Sequence, residues 1–253
     1  GIKIEAQGGT AALVYNSTSG VFISAINCVN GYVKGLSIQS SGDLISTARS
    51  STLFLMQQCA RVAFQDCTFG HGGRLLHVDG GYLNEFQNIS LTNFWESAIR
   101  YTYNDAAVSA IGMAHNKFTD ITVAHAKLTN LNAIALFMGE CTFTTTTLED
   151  YGTTAFKTDN LIGVTQNISI FNVNGVSDAS GVLGTILHID NSTDVRASNL
   201  KGLLNDDTAD GVIIERTDGT KDTSGVVISD VSITGGRNGL MIRNSARNIT
   251  VDG

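Results

Sequence analysis

The chain has no proline, one tryptophan, four cysteines and only 15% charged residues among its 253. Without proline, every residue keeps the N–H that an interior strand must donate, so uninterrupted β-ladders are allowed along the whole length. Cys28, Cys59, Cys67 and Cys141 form no C-x-x-C pair, and Cys67 sits in an apolar slot, which points to free thiols. No run approaches the roughly 18 apolar residues of a membrane helix. No sustained i, i+3, i+4, i+7 stripe supports helical repeats. Positive charge is sparse as well: 16 Lys and Arg stand against 23 Asp and Glu. The net charge of −7 is spread out and leaves no basic stripe, so neither nucleic acid nor membrane insertion is expected. The chain opens Gly1-Ile2-Lys3 and is expected to be a single domain, 1–253, cut from a longer polypeptide with head and C-terminal parts.

What the chain does have is a recurring hexad. Phe86-Gln87-Asn88-Ile89-Ser90-Leu91 is echoed at 33–38, 64–69, 118–123, 143–148, 165–170, 197–202, 228–233 and 246–251. The second half of most copies reads apolar, Ser or Thr, apolar, the alternation of a strand buried on one face. The third position holds Gly35, Asp66, Asn88, Asp120, Thr145, Asn167, Asn199, Asp230 and Asn248. Gly, Asn and Asp tolerate the left-handed backbone that costs other residues roughly 1–2 kcal/mol, so each hexad predicts a bend feeding a short strand. Spacings of 31, 22, 32, 25, 22, 32, 31 and 18 between these slots are those of stacked repeats. A second strand recurs between hexads, as in Leu76-His77-Val78, Phe156-Lys157-Thr158 and Leu187-His188-Ile189, and a weaker third leads into each hexad. The expected fold is all-β: a right-handed parallel β-helix of about nine coils with three strands each, its hand set by the chirality of parallel crossovers.

The slot acids Asp66, Asp120 and Asp230 alternate with asparagines and are expected to be a turn ladder rather than chemistry. Asp79, Asp159 and Asp190, which close the second strand, are read in the same way. The variable turns after the hexad are more informative. One holds Trp95 beside Glu96; another, two coils on, holds Glu149, Asp150 and Tyr151. Equivalent positions two coils apart would be roughly 10 Å from one another, near the roughly 6.5–9.5 Å carboxyl separation of an inverting glycosidase. The candidate catalytic acids are therefore Glu96, Glu149, Asp150 and Glu140. Trp95, Arg100, Tyr101, Tyr103, Asp105 and Tyr151 are the candidate sugar-binding residues, since aromatic faces pack against sugar C–H groups. His77 and His188 occupy equivalent positions too many coils apart to share an ion, and His115 and His125 lack further ligands. No metal and no cofactor are expected. No phosphate-binding loop or nucleophile elbow is present.

The coil periodicity, the Asn/Asp/Gly bend and the Gly/Ser/Thr-rich turns resemble the pectate-lyase-like β-helix superfamily, and within it bacteriophage tailspikes and capsular depolymerases. The resemblance spans 1–253 and is specific for fold. Polygalacturonase motifs are not reproduced: Gly70-His71-Gly72 precedes Asp206-Asp207, and the outer two motifs are missing. Nor is the pectate-lyase Trp-Ile-Asp-His segment found. The resemblance implies a phage tailspike domain that binds and cleaves a bacterial capsular polysaccharide or lipopolysaccharide, with hydrolysis favoured over elimination. It also implies a homotrimer joined to other virion tail proteins and located in the virion tail. The alternatives are a non-enzymatic receptor-binding or structural shaft, and a β-helical adhesin on a bacterial surface.

Overall fold

In a computed structural model, residues 3–5, 11–40, 50–102, 115–127, 132–137, 140–149, 151–159, 167–177 and 184–253 are described. Nineteen strands and no helix occur among them. Every strand pairing is parallel, and strands of one coil lie over their equivalents in the next. The fold is the expected all-β parallel β-helix, with about seven turns.

The hexads stack because their apolar positions share one interior column. Phe64, Phe86, Phe118 and Phe143 are successive register partners. Their rings stack face to face, with centroids 5.1, 4.5 and 4.3 Å apart. Ile170, Ala197 and Ile228 continue the column. Outward residues of the same strand, among them Thr68, Thr122, Thr147 and Ser232, are exposed. All four cysteines are free thiols.

The bend reading is borne out at most slots. Gly35, Asp66, Asn88, Asp120, Thr145, Asn199 and Asp230 all have left-handed φ between 51° and 66°. Asn88 Nδ2 donates to Asp66 Oδ1 over 2.8 Å, the side-chain ladder expected of a turn position. Thr145 adopts the same conformation, φ 59°, although a β-branched residue is strained there.

Two echoes lie elsewhere. In the sixth hexad coil the slot is Asn172, φ 54°, whose Oδ1 accepts from Asn199 Nδ2 over 2.8 Å. Asn167 instead pairs with Glu140, at the start of the lead-in strand. Asn248 lies over Gly225 rather than Asp230, because Arg247 and Ile249 pair with Ser224 and Val226. Both belong to a second bend, which also includes Arg61, Leu83, His115 and Asp194, all with positive φ. The two bends share the pattern Asn-Ile-(Ser/Thr)-apolar, so a six-residue echo fits either. The last echo consequently completes no turn, and about seven turns replace the nine expected.

Asparagines hold this second bend from inside. Asn84 and Asn116 are fully buried. Asn84 Oδ1 accepts the Val62 N–H, while its amide donates to Cys59 O at 2.9 Å and Asn116 Oδ1 at 2.8 Å. Asn116 donates to Gly81 O and to Tyr101 Oη. Gly81, φ 119°, brings the chain so close that a Cβ there would lie 2.2 Å from Cys59 O.

The second strand of each coil forms its own ladder. Leu76, Ile99, Ile134, Phe156, Leu187, Val212 and Leu240 are register partners facing inward. Before Leu76 the ladder continues through Phe54 to Ile23. Alternation then turns His77, Arg100, Ala135, Lys157, His188, Ile213 and Met241 outward on one face. That face carries the site.

Candidate functional site

Along the second-strand face, residues two apart point the same way, and each rung sits about 4.8 Å above the last. In the strand Thr185–Asp190 this aims His188 and Asp190 outward together. Register places Lys157 over His188 and Asp190 over Glu215, with Arg243 on the following coil. Five charged or titratable groups from four successive coils therefore converge.

Their contacts run diagonally. Lys157 Nζ lies 3.1 Å from Asp190 Oδ2, 3.3 Å from His188 Nδ1 and 3.2 Å from His188 Nε2. His188 Nε2 is 2.6 Å from Glu215 Oε1. An ionised carboxylate can only accept, so Nε2 carries the proton and Nδ1 accepts from Lys157; the hydrogen-bond network assigns this tautomer. Glu215 Oε2 takes Arg243 Nε at 2.6 Å and Asn244 Nδ2 at 3.2 Å. Asp190 accepts the Thr217 N–H at 3.0 Å and its hydroxyl at 2.8 Å. The acid side chains are only 6% and 4% exposed, against 47% for Arg243.

This environment fixes the protonation states. Burial pushes the Asp190 carboxyl up, but Thr217 and Lys157 outweigh it and hold it below the usual range. Burial likewise opposes ionisation of Glu215, and the bonds from Arg243 and His188 prevail. Burial, with the Lys157 charge, lowers His188 and keeps its imidazole neutral. Thr217 and Asn244, which anchor the two acids, also line an open cleft of about 580 Å³ with Arg216, Gly219 and Ser245.

A second cluster lies lower on the same face. Gln57 Nε2 donates to Asp79 Oδ2 over 3.2 Å, and the Thr102 hydroxyl donates to Asp79 Oδ1 over 3.1 Å. Thr102 thus accepts from His77 Nε2, 2.7 Å away. Burial, then the Arg100 and Arg74 charges, lower His77 to about 4. Arg100 lies 5.2 Å over the Phe137 ring.

The expected site residues are dispersed. Glu96 is half-buried at the corner after its hexad, 2.5 Å from Arg74 Nε but out of line for a hydrogen bond. Glu149 pairs with Ala124, and Ala124 with Thr92, so its ladder meets that coil four residues before Glu96. The two acids do not occupy equivalent positions, which removes the basis for pairing them. Glu140 begins the strand that Glu149 ends, and its register partner Asn167 places it at the opposite bend. Trp95 is 6% exposed. Tyr101 and Tyr151 are wholly buried, the latter donating to Gly184 O at 2.5 Å, so neither offers a face to a sugar. Apolar rings were needed to fill the column, and these two correct the expectation of a binding role. Asp150, Tyr103 and Asp105 fall outside the described residues. Of the expected set, Arg100 lies on the outward ladder. Lys157, His188, Asp190, Glu215 and Arg243 were not anticipated as a group; Asp190 reads as turn chemistry until it is aligned with Glu215.

The neutral histidines make acid sensitivity predictable. An unfolded histidine titrates near 6.5, whereas His77 and His188 titrate lower when folded. Between these values the unfolded chain binds protons that the native chain refuses, so stability is full above about pH 6.5 and falls as pH drops toward 4. Asp190 and Glu215 add a further loss at still lower pH as their depressed carboxyls protonate. Urea midpoints measured from pH 7.5 to 3.5 check this; a flat profile between 6.5 and 4 would contradict it.

No protein-family model and no curated protein sequence matches the chain. Solved structures do. The alginate lyase from Paenibacillus sp. str. FPU-7 superposes with a TM-score of 0.67 at 13% identity, covering 100% of this chain and 82% of that one. The catalytic domain of a GH87 α-1,3-glucanase in complex with nigerose gives a TM-score of 0.59 at 12% identity, over 100% of this chain and 55% of that one. The tailspike gp49 from Pseudomonas phage LKA1 gives 0.41 at 12% identity, over 100% and 49%, an overlap too slight to argue from. These likenesses establish the fold.

Proposed function

We propose that this chain binds and cleaves an acidic polysaccharide, and that the Lys157–His188–Glu215 cluster carries out a β-elimination. The names of the two well-superposed neighbours, an alginate lyase and a glucanase, support a glycan substrate. The observation that carries the reaction type is the protonation pattern. Both buried acids are ionised against cations while the imidazole between them is neutral. A hydrolase needs one carboxylic acid protonated; elimination needs a neutral base and a cation to offset the sugar carboxylate.

In this mechanism Arg243, with Arg216 at the cleft, holds the carboxylate of a uronic acid and acidifies the adjacent carbon. His188 Nδ1 removes the proton from that carbon, and the electron pair forms the C=C bond as the glycosidic C–O bond breaks. Lys157 gives a proton to the departing oxygen. The 3.3 Å contact between Lys157 Nζ and Nδ1 then returns the abstracted proton to the lysine and restores both groups.

Alginate, polygalacturonate and a neutral glucan, each incubated with the purified protein, test this. Ultraviolet-absorbing unsaturated ends are expected from an acidic polymer. Reducing ends without absorbance would replace elimination by hydrolysis, and no new ends from any polymer would leave only binding.

The setting we propose is a phage tailspike on the virion tail, with three copies standing side by side on the exposed Ser/Thr row of the hexad strands. Mass photometry of the purified protein would show trimers; a monomer would remove that setting without touching the chemistry.

A further inference from the structure

We propose that the ammonium of Lys157 occupies a divalent-cation position built from His188, Asp190 and Glu215, making the site a metal centre whose resident cation is a side chain. Ligand-capable atoms of the three residues all lie within 4.8 Å of one another. Donors about 2.1 Å from a tetrahedral ion stand roughly 3.4 Å apart, so the widest pair has to close by about 1–1.5 Å, a movement shared between two side chains. Lys157 Nζ already sits 3.1 Å from Asp190 Oδ2 and 3.3 Å from His188 Nδ1, the imidazole nitrogen that keeps its lone pair, within reach of two of those donors.

Charge supports the same assignment. Lys157 and Arg243 balance Asp190 and Glu215, with His188 neutral, so the wild-type cluster has no charge left to attract an ion. Removing the lysine leaves a net negative charge, a neutral imidazole and the Thr217 hydroxyl around a gap. One nitrogen and two carboxylates suit Zn²⁺ or Mn²⁺. Ca²⁺, which takes six to eight oxygens, is poorly served. Lysine does part of what a dication would do here, offsetting Asp190 and fixing the imidazole, while keeping transferable protons.

This inference rests on the proposed site but not on its reaction. Lys157→Ala, Lys157→Arg and wild-type proteins, stripped with chelator, would be titrated with ZnCl₂ and with MnCl₂ by calorimetry and followed by thermal unfolding. Lys157→Ala is expected to take up one equivalent, at least tenfold more tightly than wild type, with a metal-dependent rise in Tm. Lys157→Arg should behave like wild type, and Lys157→Ala combined with Asp190→Asn should lose the gain. A folded Lys157→Ala protein that binds no more tightly than wild type would overturn the proposal. So would wild-type protein that binds one equivalent at this cluster, because the lysine would then not be the resident cation. Failure to cleave any polysaccharide would remove the reaction and leave this result intact, since metal uptake is read without substrate.

Discussion

His188→Ala is expected to lower kcat/KM on an acidic polysaccharide by about 10²–10⁴-fold, the range a positioned general base supplies. The variant should fold. His188 is neutral, so its loss strands no charge: Glu215 keeps Arg243 and Asn244, and Asp190 keeps Lys157 and Thr217. The change should therefore appear in kcat with KM and Tm nearly constant. His77→Ala is the matched comparison, being a second neutral imidazole on the same outward ladder and directly over Arg100. It lies coils away from Glu215 and should alter activity by only a few-fold. Unsaturated products formed by His188→Ala at more than a tenth of the wild-type rate would move the chemistry elsewhere, and a larger loss in His77→Ala would move it to the lower cluster.

Phe118→Ala should be the most damaging core substitution. The side chain is fully buried, with rings parallel to it within 5° and 3° on either side and the Tyr101 ring edge-on to it, centroids 6.1 Å apart. Truncating a buried phenylalanine costs about 3–5 kcal/mol. In a chain of this length each kcal/mol moves Tm by roughly 2–4 °C. A solenoid adds a further effect, because each coil touches only its neighbours and stability is close to a sum of nearest-neighbour interfaces. Weakening one interior interface should let the coils on either side melt separately, so calorimetry is expected to resolve two transitions. Phe171→Ala, at a half-buried outward position on the same ladder, should change Tm by only a few degrees and keep one transition. A single transition within 3 °C of wild type for Phe118→Ala would show that the ring column does not hold the coils together.

The architecture was legible because it is written locally. Alternation gives the inward column, and Asn, Asp and Gly mark the left-handed corners, which needs no knowledge of distant residues. What six residues could not carry was the identity of the corner. Asn167-Ile168-Ser169-Ile170 and Asn88-Ile89-Ser90-Leu91 look alike, yet Asn88 turns into the hexad strand and Asn167 into the one before it. The site was less legible because its geometry depends on register between coils. Asp190 resembles Asp79 and Asp159 in its own coil. It becomes chemical only through Lys157 on one side and Glu215 on the other, a relation visible when Lys157/Asp159, His188/Asp190, Ile213/Glu215 and Met241/Arg243 are written beneath one another. Trp95 and Glu96 drew attention as an aromatic beside an acid, but the same turn has to close the column, and burial took the ring.

Four successive turns each contribute to the charged group, from Lys157 to Arg243, and none holds it alone. Excising or duplicating one whole turn ahead of Lys157 would carry the group along unbroken, whereas the same edit between Lys157 and Arg243 would separate its members. Such a molecule can gain or lose whole turns outside the span from Lys157 to Arg243 and must keep an unvarying count within it, so variation in length should collect away from those four turns.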